Sequence, residues 1–221
     1  MSTNIWSIVV AAGSGARFGA EKQLQPLHDK RVIDWSVEVL CEVGPTIVVA
    51  PADADPVAYF SASSEPSRSI MDRVERFVSG GSSRSESVRC GLACVNESAT
   101  HVLVHDAARP LVTSGLVNRV VNELARGAQG VVPVVPIVDT LQTREGVTVD
   151  RSALVAVQTP QGFERSVLLE AHSAGFEATD DSTLVNQLGA SVVHVEGDPK
   201  NIKVTVPDDM HIADAFCRGR E

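Results

Sequence analysis

The chain has 221 residues, 43% of them hydrophobic and 21% charged, with a formal net charge of −9. That size suits one large domain with a full core, and the negative balance argues against a protein that grips a nucleic-acid backbone through a basic face. No apolar run reaches the roughly 18 residues of a membrane span; the opening residues lack a secretory pattern. The four cysteines, Cys41, Cys90, Cys94 and Cys217, include no C-x-x-C pair, so a cytoplasmic chain with reduced thiols is expected.

An apolar strand is predicted over residues 5–11. It empties into a loop holding Gly13, Gly15 and Gly19, one arginine, Arg17, and one lysine, Lys22. Backbone N–H groups in a glycine turn after a buried strand can point at phosphate oxygens. Two fixed cations beside them make a cradle for a polyanion such as a nucleoside triphosphate. The loop is neither of two better-known ones. A dinucleotide fingerprint needs glycine where Phe18 stands, and a Walker loop needs Gly-Lys-Ser/Thr where Lys22 lies between Glu21 and Gln23. Taken alone, the spacing suits a plain tight turn equally well.

Helical periodicity follows over residues 32–43, then a strand over 46–50. Residues 53–73, rich in Ser, Ala, Asp and Pro, read as loop or short helix. A short strand at 76–78 leads into Gly80-Gly81-Ser82-Ser83-Arg84, which opens a helix over 84–95 that carries Ser87. Its free N–H groups and serines suit a base or ribose; a serine N-cap after a glycine turn explains the same pattern without a ligand. Cys90 and Cys94, four apart on this helix, read as packing side chains.

A strand over 101–105 ends in His105-Asp106-Ala107-Ala108-Arg109-Pro110. Asp106 in that turn suits Mg²⁺ or a substrate hydroxyl, and Arg109 suits a phosphate; a structural Asp–Arg pair is the plainer alternative. A helix over 115–127 and a strand over 130–135 come next. Residues 138–151, two Thr/Val-rich segments around Arg144-Glu145-Gly146, carry a hairpin signature with little apolar bulk. It should project, as a surface hairpin or as an arm that pairs with another subunit.

Gln158-Thr159-Pro160-Gln161-Gly162-Phe163 reads as an X-Pro turn leading into a helix over 166–174. Thr179-Asp180-Asp181 suits a cap as well as a ligand. After a strand over 191–196, Lys203 alternates with Ile202 and Val204 on an expected strand, as a solvated lysine or a further phosphate-binding cation. A last helix covers 208–217. Near-continuous apolar strands alternating with helices predict an α/β fold with a mostly parallel sheet. Ligands bind beyond the carboxyl ends of such strands, which puts the glycine loop and the segment after His105 on one edge.

Together and in this order, AAGSGARFG, KQ, GGSSRSESVRCGL, VHDAARP, the hairpin with Asp139-Thr140 and Arg151, VQTPQGF, TDDSTLV and NIKVT closely resemble the 2-C-methyl-D-erythritol 4-phosphate cytidylyltransferase family. The resemblance runs over residues 5–217. It implies a Rossmann-like sheet of the nucleotidyltransferase type, a single domain over residues 1–221 with a dimerisation arm over about 138–157, and a homodimer. It also implies a reaction: CTP and methylerythritol 4-phosphate give the cytidine diphospho-alcohol and pyrophosphate, with Mg²⁺ on the triphosphate. By the same resemblance Arg17, Lys22, Arg151 and Lys203 are catalytic. Ala11, Ala12, Gly13, Gly15, Gly80, Gly81, Ser87 and Asp106 bind the nucleotide. Asp106, Arg109, Thr140, Arg151, Thr159 and Lys203 meet the alcohol phosphate, with Thr140 and Arg151 coming from the partner subunit. Two departures stand out: Glu21 where the family has proline before the lysine, in a shortened loop, and Asn186 where it has an acid after TDD. Cytidylyl transfer to another alcohol phosphate, such as ribitol 5-phosphate, and a catalytically silent nucleotide-binding regulator are the other readings.

Overall fold

The structure is a computed structural model that describes residues 3–13, 18–61, 65–175 and 178–219. In chain order its strands and helices are β1 (Ile5–Val10), β2 (Pro26–Leu27), β3 (Lys30–Arg31), α1 (Val32–Cys41), β4 (Thr46–Ala50), α2 (Pro56–Phe60), α3 (Ser67–Met71), β5 (Arg76–Ser79), α4 (Arg84–Leu92), β6 (His101–Asp106), α5 (Ser114–Ala125), β7 (Gly130–Pro136), β8 (Leu141–Gln142), β9 (Thr148–Val149), β10 (Val155–Val157), β11 (Gln161–Glu164), α6 (Arg165–Ser173), α7 (Asp181–Gln187), β12 (Val192–Glu196) and α8 (Asp208–Arg218).

The Val/Ile/Leu runs of β1, β4 and β6 form the centre of one sheet because both of their faces are covered. All five residues of β4 are buried. The strand order is β10-β7-β11-β6-β1-β4-β5, with β12 on the free side of β7. β1 runs parallel to β4 and β6, β5 parallel to β4, and β12 parallel to β7. β10 and β11 run antiparallel to their neighbours. The register sets Val10 beside Asp106 and Ala50 beside Ser79, so the carboxyl ends of β1, β4, β5 and β6 meet along one edge.

One face of the sheet packs α1 and α5 through Ile33, Val37, Leu116 and Val120. The other packs α4, α6 and α7 through Val88, Leu92, Leu168 and Leu184. Each such side chain contributes about 1.5–3 kcal/mol by leaving water. Gly91 lets α4 lie close on the sheet, since a Cβ there would stand 2.7 Å from Cγ2 of Ile8. A third, smaller cluster seats α8 on Leu27, Val32 and Leu111, and includes Val204. Among the described residues no helix is long and apolar enough to cross a membrane.

Three local expectations are corrected. Residues 161–164, read as the run-in to a helix, form β11. Val157 pairs with Val134 and Gly162 with Val131, so residues 158–161 oppose only residues 132–133. This bulge turns one interrupted strand from β7 onto β6. Residues 202–204 form no strand; Val204 N donates to Ala108 O, and the alternation holds with Val204 buried and Lys203 exposed. Residues 155–157, taken as the end of the arm, belong to the main sheet as β10. β8 and β9 pair with each other as a separate two-stranded sheet.

Candidate active site

A cavity of about 460 Å³ opens at the carboxyl edge of the sheet. Its first wall is the chain leaving β1: Ala11, Ala12 and Gly13. Gln23, buried in the 3-10 turn that carries Lys22, holds this wall in place. Its amide donates to Ala11 O at 3.0 Å and to the Tyr59 hydroxyl at 2.7 Å. Lys22 enters the cavity from the same turn and donates to Val204 O at 2.7 Å. Gly15 and Arg17 lie outside the described residues.

The second wall is the turn from β5 into α4. Ser83 caps α4, its hydroxyl accepting from Glu86 N at 3.1 Å. Ser87 faces the cavity but is nearly fully buried; its hydroxyl donates to Ser83 O at 2.8 Å and accepts from Gly81 N at 3.1 Å. It therefore shapes the turn. Gly80 is required by contact: a Cβ there would lie 2.7 Å from Ser87 Oγ and 2.8 Å from Ala50 O.

The third wall is the end of β6. Asp106 faces the cavity, and its carboxylate accepts from Arg84 Nε at 3.1 Å and from Lys203 Nζ at 2.6 Å. Burial alone would raise its pKa; the Arg84 and Lys203 charges win and hold the carboxyl well below the usual carboxylate range. Arg84 Nη1 reaches on to Asp181 at 2.8 Å. Burial opposes its charge, yet the Asp181 and Asp106 carboxylates hold the guanidinium above its ordinary value.

Behind Asp106 lies fully buried His105. Its Nε2 is 3.2 Å from Arg109 O and its Nδ1 is 3.0 Å from Thr159 Oγ1. A carbonyl only accepts, so Nε2 carries the hydrogen and Nδ1 accepts from the Thr159 hydroxyl. Thr159 Oγ1 in turn accepts from Asp106 N at 3.1 Å. Burial pushes the His105 pKa down to about 4, which keeps the ring neutral. The bulge between β10 and β11 is what places Thr159 here.

Of the residues named from sequence, Ala11, Ala12, Gly13, Lys22, Gly81, Ser87, Asp106 and Lys203 line one cavity, with Gly80 against its wall. Thr159 stands behind Asp106. Arg109 commits its guanidinium to backbone, donating to Asn201 O at 2.8 Å and Val157 O at 3.2 Å. Thr140 is exposed on the β8–β9 hairpin, and Arg151 donates to Val138 O beside a second, shallower cavity of about 670 Å³. Within one chain neither joins the first cavity. Sequence reasoning gave Arg84 no role. A cation in the first turn of a helix opposes the helix dipole, and that misfit was the available sign that acidic partners sit nearby.

The arrangement offers backbone turns, cations from three segments and one carboxylate around one opening. The cavity-facing Ser83 and Ser87 hydroxyls are engaged in holding α4 and its entry turn. Such a site positions and neutralises anions and has no need of a side-chain nucleophile.

The family described as 2-C-methyl-D-erythritol 4-phosphate cytidylyltransferase matches residues 5–219. A protein of that name from Nocardia farcinica is 40% identical, the match covering 98% of this chain and 95% of the relative. A bifunctional enzyme, IspD/IspF, from Nitratidesulfovibrio vulgaris is 38% identical over 95% of this chain but 57% of its own length, so the chain spans little more than half of that relative. The crystal structure of 2-C-methyl-D-erythritol 4-phosphate cytidylyltransferase from Thermus thermophilus is 34% identical and superposes with a TM-score of 0.79, covering 96% of this chain and 98% of that one.

Proposed function

Since the chain belongs to the 2-C-methyl-D-erythritol 4-phosphate cytidylyltransferase family, a family of CTP-dependent nucleotidyltransferases, we propose that it transfers CMP from CTP to 2-C-methyl-D-erythritol 4-phosphate and releases pyrophosphate, in non-mevalonate isoprenoid biosynthesis. The observation that carries this reading is the gathering of the turn after β1, the turn into α4, Lys22, Lys203 and Asp106 around one cavity.

An oxygen of the acceptor phosphate attacks the α-phosphorus of CTP in line, one P–O bond forms, and the bond to pyrophosphate breaks. Both reactants are anions, so approach is repulsive until cations neutralise them. By the family pattern Lys22 would serve the triphosphate and Lys203 would bridge the nucleotide and acceptor phosphates; both line the cavity. Arg17 follows the family pattern as the charge-stabilising group on the transferring phosphate. A base seated at the close Gly80–Gly81 turn, as the family pattern has it, would be a pyrimidine more readily than a bulkier purine. Thr159 acts by holding the Asp106 backbone, and Arg109 by bracing the segments that flank it.

The residues present fit a divalent ion. Asp106 is a carboxylate on the cavity wall, and Mg²⁺ is typically held by one or two carboxylates together with substrate phosphates. No cluster of three metal-ligating side chains occurs among the described residues, and each Asp106 oxygen already accepts from Arg84 or Lys203, so the CTP phosphates would hold the ion in the main, with Asp106 the carboxylate that lines the same cavity. When bound, it supplies neutralisation of the triphosphate.

The β8–β9 hairpin is proposed as the arm of a homodimer, carrying Thr140 and Arg151 to the partner's acceptor site. Val138 and Val147 on it are 79% and 63% exposed, and both polar residues lie off their own chain's cavity. The altered lysine loop, with Glu21 before Lys22, is the feature that would favour a silent regulator, and Lys22 nonetheless reaches the cavity wall.

Pyrophosphate release, measured with CTP or ATP and with methylerythritol 4-phosphate, ribitol 5-phosphate or no acceptor, tests the reading. Release is expected with CTP and the methylerythritol phosphate. Equal rates with ribitol 5-phosphate would move the assignment to another alcohol phosphate, and no release with any pair would end it.

A further inference from the structure

We propose that Asp181 is a positioning residue for the cleft: it fixes Arg84, and through Arg84 it sets the Asp106 carboxylate. The proposal deepens the cytidylyl-transfer reading and rests on it for its kinetic arm.

The two consecutive aspartates at the start of α7 do different work. Asp180 caps the helix, its side chain accepting from Thr183 N at 2.9 Å. Asp181 is fully buried and turns the other way. One of its oxygens accepts from Arg84 Nη1 at 2.8 Å, and the other lies 3.0 Å from His172 Nε2 on α6. A carboxylate with no exposure is costly unless paired and hydrogen-bonded; here both oxygens are engaged. Arg84 is thereby held from the α6–α7 side while its Nε holds Asp106.

The geometry makes the connection directional. Arg84 is a planar fork, so fixing Nη1 on Asp181 fixes where Nε points. Without Asp181 the guanidinium would be free to swing toward the cavity that it lines, leaving Asp106 to Lys203 alone. A group moved by 1 Å in a site that works by positioning can cost on the order of 10²-fold in rate. Asp181 does not line the cavity, whereas Arg84 does, so its effect on the reaction is expected to pass through Arg84.

The test compares Asp181→Asn, Arg84→Met and the double variant. We expect Asp181→Asn to lower kcat by a factor between ten and about 10², with KM for CTP changed less than threefold. Adding it to Arg84→Met should cost nothing further, because residues that act as a unit are non-additive. In ¹⁵N spectra the Arg84 Nε–H should exchange slowly in the parent chain and quickly in Asp181→Asn. Unchanged kcat with a lowered melting temperature would make Asp181 a structural residue and overturn the proposal. So would a full second loss in the Arg84→Met background, or an Arg84 Nε–H that stays protected. If the parent chain releases no pyrophosphate, the functional reading fails, and the Nε–H exchange still decides the positioning claim.

Discussion

Lys22 donates to the carbonyl oxygen of Val204 across 2.7 Å, which ties the turn after β1 to the segment that carries Lys203. Val204 is buried against α8 and bonded to Ala108, so two cations far apart in sequence are set on one support. Glu21, which departs from the family pattern, is exposed beside this turn and leaves Lys22 in the cavity. Lys22→Met should lower kcat/KM for CTP by about 10²–10³, as loss of one preorganised charge donor does. Lys203→Met should show a similar loss, and the double variant less than the product of the two, because they share a support and a substrate. Steady-state kinetics on the four proteins checks this; full multiplicative losses would mean that the two cations act independently.

Arg17→Ala should lower kcat more than it raises KM for CTP. The family resemblance places Arg17 at charge that develops during transfer, and an interaction made only in the transition state affects kcat. A raised KM with unchanged kcat would make it a ground-state contact.

His105 predicts a pH dependence of stability. Its folded pKa is pushed down to about 4 by burial, below the ordinary value near 6.5. A depressed value means that the unfolded chain takes up the proton first. The stability held by the neutral ring is therefore complete above about pH 6.5 and is lost progressively as pH falls toward 4. The loss over that window is on the order of 2–3 kcal/mol. Urea denaturation from pH 7 to pH 4 should show this slope in the parent chain and a shallower one in His105→Gln. Equal slopes would mean that acid destabilisation arises elsewhere.

Much of this was legible in the sequence for physical reasons that differ by residue. β1, β4 and β6 were readable because strands buried on both faces need apolar runs, and IVVA and VLVH are such runs. β11 was not, because Gln161-Gly162-Phe163-Glu164 has no run or alternation and follows a proline; only its two neighbours make it a strand. The alternation around Lys203 was right without a strand, since one bond to Ala108 holds it. The glycine turns, Lys22 and Asp106, which the structure brings to one cavity, stood out in the sequence because their chemistry is local. Arg84 did not, because one of its carboxylate partners, Asp181, stands 97 positions further along. Thr159 was named for substrate, while its hydroxyl lies in a bulge that no single-strand pattern reveals.

The hairpin predicts complementation between subunits. Arg151 lies away from its own cavity, and the proposed homodimer with composite sites has it serve the partner. Mixing Arg151→Ala with Arg17→Ala chains, each nearly inactive, should give dimers with one doubly defective and one intact site, and activity should partly return on subunit exchange. Heterodimers that form without recovery would remove Arg151 from the partner's site.

The proposed chemistry is one event at one cavity: transfer of CMP from CTP to an alcohol phosphate. The most direct measurement follows phosphorus by ³¹P NMR during incubation with CTP, Mg²⁺ and 2-C-methyl-D-erythritol 4-phosphate. The acceptor monoester signal should fall as a new diphosphodiester pair rises, with one pyrophosphate per product and none when the acceptor is left out. Unchanged spectra, or pyrophosphate accompanied by free CMP instead of the diphosphodiester, would contradict it.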